Sequence, residues 1–186
     1  MSEDRILATI SSLAKYAREQ REHYFAAGRP LNASDRITMQ PFFSAALLSR
    51  VRIVEMAGRQ IEEPPFYPEA RARGVQLPQV NHMSSITFVD ALVFTEGVKT
   101  RDLFHALVHA TQFEIFGLAG YIDLYVRAFF KVNRTILVPL EAHAFELDTR
   151  FSANSADIFS VEGEVWRWIR EGRYGLRSHA GTVTQS

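Results

Sequence analysis

The chain has 186 residues, 47% of them hydrophobic, which is the size and composition of one ordinary domain with a substantial core. Lysine and arginine total 21 against 21 aspartates and glutamates, so the balance disfavours a broad nucleic-acid or anionic-lipid surface. There is no cysteine, which excludes disulfides, iron–sulfur clusters and thiolate zinc sites; any metal must be held by nitrogen and oxygen.

Ile6, Ile10, Leu13, Ala14 and Ala17 recur at helical spacing from a start near Ser2, and Gly28 and Pro30 end the pattern. This first segment lacks the apolar core of a secretory signal, and no stretch approaches a transmembrane helix. The expectation is a soluble, cytoplasmic protein with no membrane partner.

"NASDRITMQPFFSAALLSR" reads as two short helical pieces separated at Pro41, with Ser34 and Ser44 as N-caps. A strand is expected over 51–57. Residues 62–85 read as loop, since Pro64, Pro65, Pro68, Pro78 and Gly74 fall there, with one helical turn around "PEARA". The β-branched and aromatic run "SITFVDALVF" predicts one strand over 86–94, followed by a turn at Gly97.

A helix with Thr100 as N-cap then carries "LFHALVHATQFEIFG", and a second follows Gly117. "RTILV" reads as extended, and Pro139 suits the first position of a helix "PLEAHAFELDTRF", where its missing N–H is no loss. Val161, Val165, Trp168 and Ile169 mark a last amphipathic helix ending near Gly172, with Trp168 on its apolar face and Trp166 off it. The expected fold class is α+β, a small antiparallel or mixed sheet packed on the histidine helix within one domain over 1–175. Within it, 1–28 is the N-terminal helix, 40–151 the core and 155–172 the last helix; 176–186 reads as a disordered tail.

Chemistry concentrates in the histidine helix. His105 and His109 stand one turn apart, about 6 Å, on one face, the spacing a single metal ion needs. Their neighbours are apolar, so both imidazoles are buried and require partners. Those partners are either a shared metal or backbone carbonyls or Tyr121, Asp123 or Tyr125 of the next helix. Around 139–151, Leu140, Ala144, Leu147 and Phe151 form an apolar stripe with Glu141 and Asp148 on one border and His143 on the other. Glu141 can reach a metal while Asp148 buttresses a ligand; His143 is a rival third ligand. His23, His82 and His179 lie in polar or loop contexts and read as surface residues.

The runs "LFHALVHATQFEIFG", "YVRAFF" and "VPLEAHAFELDTRF", with "LLSRVRIVEMAG", "PPFYPEARARG" and "SITFVDALVF" upstream, resemble a group of small bacterial zincin-like proteins. Those proteins read close to HELVHVxQY, an aromatic helix, then PLExxAxxLxxRF, and the likeness covers roughly residues 40–151. The resemblance implies a minimal gluzincin-type metallopeptidase domain binding zinc, or another divalent metal, through His105, His109 and Glu141. It implies a peptide or protein ligand in a cleft between the preceding strand and the histidine helix. Gln112 and Phe113 stand where the family has a glutamine and an aromatic residue.

Ala106 departs from the family. The glutamate at that position in hydrolytic members moves the proton of the attacking water, which alanine cannot do. Losing a general base typically costs about 10²–10⁴-fold in rate, so the chain reads as hydrolytically inactive or severely impaired. Either it is a natural pseudoenzyme or a glutamate has been changed. Glu114 points elsewhere on the helix, and Tyr121, Tyr125 and Arg127 are the remaining groups able to substitute. Two further readings stay open: a non-catalytic module that binds peptide or protein in the cleft, and a non-haem iron enzyme with two histidines and one carboxylate.

Overall fold

A computed structural model describes residues 2–175, and the tail expected over 176–186 lies outside the described residues. The described residues are mixed α+β, mostly helical, with one three-stranded sheet. The helices are α1 (Glu3–Ala27), α2 (Ala33–Met39), α3 (Ala45–Arg50), α4 (Tyr67–Ala72), α5 (Thr100–Val132), α6 (Pro139–Ala153) and α7 (Val161–Arg170); the strands are β1 (Arg52–Glu55), β2 (Ser85–Phe88) and β3 (Ala91–Phe94). Among the described residues no helix is long and apolar enough to cross a membrane.

The sheet order is β1-β3-β2, with β1 parallel and β2 antiparallel to β3. The single strand expected over 86–94 is therefore a hairpin, Phe88 pairing with Ala91. Its turn uses Val89 at φ 62, a left-handed conformation that a β-branched residue rarely adopts. Asp90 beside it is buried, and Arg21 of α1 holds its carboxylate with two bonds of 2.8 and 3.0 Å. Tertiary contacts thus impose a turn that "VD" does not announce. On the far edge, Arg29 bridges to Ile53 of β1 and covers that strand.

Other local expectations shift by a few residues. Asn32, not Ser34, caps α2, its side chain accepting from the Asp35 N–H at 2.8 Å; Ser44 caps α3 as expected. Lys99 occupies the N-cap of α5, with no side-chain bond, and Thr100 is its first helical residue. Thr135–Leu137 is a 3₁₀ turn rather than an extended segment. Residues 155–160 precede α7, whose cap is Ser160. Gly117 (φ 67, ψ 165) breaks α5 into two halves, a conformation open to glycine because it has no Cβ.

The first half of α5 is buried almost all round, from Leu103 to Phe113, and lies between sheet and α6. Phe104 stacks on Phe151 of α6 at 4.3 Å, and Phe42 packs edge-on to both. This aromatic knot fixes the rotation of α5 against α6. The Thr87 hydroxyl donates to the Ala106 carbonyl at 3.1 Å and pins β2 to the same helix. α1 packs across the sheet and the second half of α5.

Candidate metal centre

The fixed α5–α6 rotation turns His105, His109 and Glu141 toward one point. The two Nε2 atoms are 3.0 Å apart, and Glu141 Oε2 lies 3.6 Å from His105 Nε2 and 3.4 Å from His109 Nε2. All three side chains are largely buried. A tetrahedral zinc with ligands at 2.0–2.1 Å has ligand–ligand edges of about 3.3–3.4 Å. The observed triangle is close to one face of that tetrahedron.

The opposite ring nitrogens are committed. His105 Nδ1 meets Asp148 Oδ2 at 2.8 Å, and His109 Nδ1 meets Gln112 Oε1 at 2.9 Å. Gln112 is oriented because its Nε2 donates to the Leu140 carbonyl at 3.0 Å, which leaves its oxygen for His109. Each Nδ1 therefore carries the donated hydrogen, and each Nε2 presents a lone pair inward. Three lone-pair atoms in mutual contact repel unless a cation stands among them. That cation is a metal ion or a proton.

The charge distribution fits both. Burial alone lowers the His105 pKa, but the bonds to Asp148 and Glu141 outweigh it and raise it to about 9. Burial would raise Glu141, yet the charge of His109 and the bonds from both histidines hold it well below the usual carboxylate range. Asp148 is likewise lowered: burial works against this, and His105 and Arg101 overcome it. Arg101 reaches Asp148 Oδ1 at 2.7 Å, so the carboxylate is gripped from both sides.

A cavity of about 700 Å³ opens beside the triad. His105, His109, Glu141, Asp148, Tyr121 and Tyr125 all border it, as does β2 from Ser85 to Phe88. The Tyr121 oxygen is 3.1 Å from His109 Nδ1, and its ring stacks on Phe113 at 3.7 Å. Burial, then the negative charge of Glu141, keeps the phenols of Tyr121 and Tyr125 well above their ordinary pKa.

Two candidates fall elsewhere. His143 is fully buried on the other face of α6, stacked on Trp168 at 3.9 Å with Nδ1 2.5 Å from the Tyr174 hydroxyl. The helix rotation that brings Glu141 to the two histidines turns His143 away, so it stands apart from that cluster and does not border the cavity. Ala106, 1% exposed, packs in the sheet-side core and does not border the cavity, so position 106 offers no proton acceptor there. Glu114 points outward and pairs with Arg50 at 3.2 Å, and Arg127 pairs with Asp123 and Glu3.

Two residues with a place in this network, and one at the cavity rim, were not assigned to the site from sequence. Arg101 precedes His105 by one turn, a spacing that marks the same helix face. Tyr174 joins His143 to Gln112, 3.5 Å from its Nε2, and comes from the end of the described chain with no local signal. His82, read as a surface residue, is exposed but stands at the cavity rim. Scans against protein-family models, curated proteins and solved structures return no match.

Proposed function

We propose that the chain is a zincin-like protein that binds a divalent metal, zinc by preference, through His105, His109 and Glu141, and binds its ligand without efficient hydrolysis. The observation that carries this reading is the convergence of two Nε2 lone pairs and one carboxylate oxygen at 3.0–3.6 Å. All-nitrogen-and-oxygen donors with borderline imidazole softness suit zinc, and the triangle leaves a further position toward the cavity. A bound zinc supplies Lewis acidity that polarises an oxygen donor of the ligand.

The protein's own residues do the rest. Asp148 and Gln112 hold the two imidazoles in the tautomer that presents Nε2, and Arg101 keeps Asp148 ionised. Glu141, on the first turn of α6, adds one negative charge and so offsets half that of a dication. The Ala106 methyl cannot take up a proton, and the cavity-facing tyrosines are poor bases because their phenols are held protonated.

Titration of zinc into chelator-treated protein tests this. One equivalent should bind and raise the Tm, while His109→Ala and Glu141→Ala should show neither effect. The zinc-loaded protein should leave a broad peptide library uncut; efficient cleavage would overturn the non-hydrolytic part, and absence of zinc binding the whole.

A further inference from the structure

The cavity extends well beyond the triad, and its far wall is supplied by α1, which lies outside the region of family likeness. Leu13, Tyr16 and Ala17 of α1 line it together with Phe88, Phe113 and Ile122. Phe88, the last residue of β2, is edge-on to Tyr16 and stacked on Tyr24, each at 5.8 Å. Aromatic rings of α1 thus crowd the cavity where β2 ends at Phe88.

Two of the polar side chains that line the cavity are engaged with protein groups. The Tyr16 hydroxyl donates to the Glu62 carbonyl at 2.5 Å. Arg101 is bound to Asp148 and Thr149. Phe113, one turn beyond His109, and the Tyr121 ring stacked on it connect the triad directly to the apolar part. One end of the cavity is thus rich in lone pairs and the other is mainly aromatic and aliphatic; among the described lining residues the basic side chains outside the triad are Arg101, which is bound to Asp148, and His82 at the rim.

We propose that the ligand of this site is a compact molecule with a bulky aromatic or branched aliphatic group beside an oxygen donor, the apolar group ending blind against α1. This rests on the triad being the polar, metal-holding end. A volume of about 700 Å³ is that of a drug-sized ligand site, larger than one side chain requires. Leu13, Phe113 and Ile122 set the specificity, because they bound the chamber and offer only apolar surface.

Paired hydroxamates provide the test on zinc-loaded protein, with zinc retention checked by elemental analysis. By calorimetry, 2-naphthohydroxamate should bind at least about 30-fold tighter than acetohydroxamate, from the extra apolar area buried. Leu13→Trp, which narrows the chamber from a half-buried position on α1, should reduce that ratio to below about threefold; Ile122→Trp gives a second route if the first variant folds poorly. A ratio near one in the unaltered protein, or a glycylglycine hydroxamate binding as tightly as the naphthyl compound, would overturn the proposal. Failure of every hydroxamate would count against the metal, and the chamber is then read in metal-free protein with the neutral dye N-phenyl-1-naphthylamine. Saturable fluorescence enhancement that Leu13→Trp removes would support the chamber, and no enhancement would sink it.

Discussion

α6 carries a buried histidine on one face and supplies two carboxylates to a buried histidine pair on the other, and the two faces push imidazole in opposite directions. His143, stacked on Trp168, has its pKa lowered to about 3 by burial first and then by the positive charges of Arg173 and Arg167. His105 is also buried, but Asp148 and Glu141 raise it to about 9. Burial is common to both, so the carboxylates decide the outcome. An imidazole held neutral against an indole is a packing element; one wedged between carboxylates beside a second imidazole is a cation site.

Removing a donor gives the largest expected effect on that contrast. Glu141→Ala and His109→Ala should weaken zinc binding by at least about 1,000-fold, since a two-donor site loses most of the chelation. His143→Phe keeps the stacking shape on Trp168 and should leave zinc affinity within about threefold. Comparable losses from both, in competition titrations, would break the separation of the two faces.

Asp148→Asn comes next. It leaves the donors in place but removes the charge behind His105, so zinc affinity should fall about 10–100-fold. In metal-free protein, NMR titration should show the His105 pKa dropping from about 9 toward or below its ordinary 6.5.

The pH dependence of metal-free stability sharpens the comparison further. His105 has a folded pKa above its unfolded value, so its contribution is full below about 6.5 and is lost as pH rises toward about 9. His143 has a folded pKa below its unfolded value, so its contribution is present above about 6.5 and is lost as pH falls toward about 3. Glu141 and Asp148, both lowered, also lose their contributions in acid. Denaturant midpoints should therefore peak near pH 6.5, each histidine contributing a slope of at most about 1.4 kcal/mol per pH unit. Asp148→Asn should flatten the alkaline arm and His143→Phe part of the acid arm.

Tyr174→Phe is the mildest. It deprives His143 Nδ1 of its one hydrogen-bond partner among the described residues and Gln112 Nε2 of a long one, for about 1 kcal/mol of stability. Zinc affinity should change by less than tenfold. A larger loss in calorimetry would mean that Gln112 depends on Tyr174 for its orientation, and that the two faces are coupled through it.

The candidate site was more legible than the strands. Two histidines one turn apart in an apolar run, and a glutamate on the first turn of a proline-started helix, are local patterns that survive folding because helix geometry fixes their spacing. The hairpin was missed because Val89, β-branched and at positive φ, is a poor turn former, and the turn is held by Arg21 of a distant helix through Asp90. The apolar chamber was not legible either. Leu13 and Tyr16 read only as one face of an amphipathic helix, and nothing in that periodicity says whether the face meets core or cavity.

By itself the sequence determined which atoms were able to act: nitrogen and oxygen donors only, two of them on one helical face, with no carboxylate at position 106. It also determined most helices, since their periodicities and breakers are short-range. Tertiary structure alone decided that Glu141 joins the histidines and His143 does not, because the stacking of Phe104 on Phe151 sets the rotation of α6 against α5. It decided as well that α1 walls the cavity, a contact between segments far apart in the chain that no local spacing encodes.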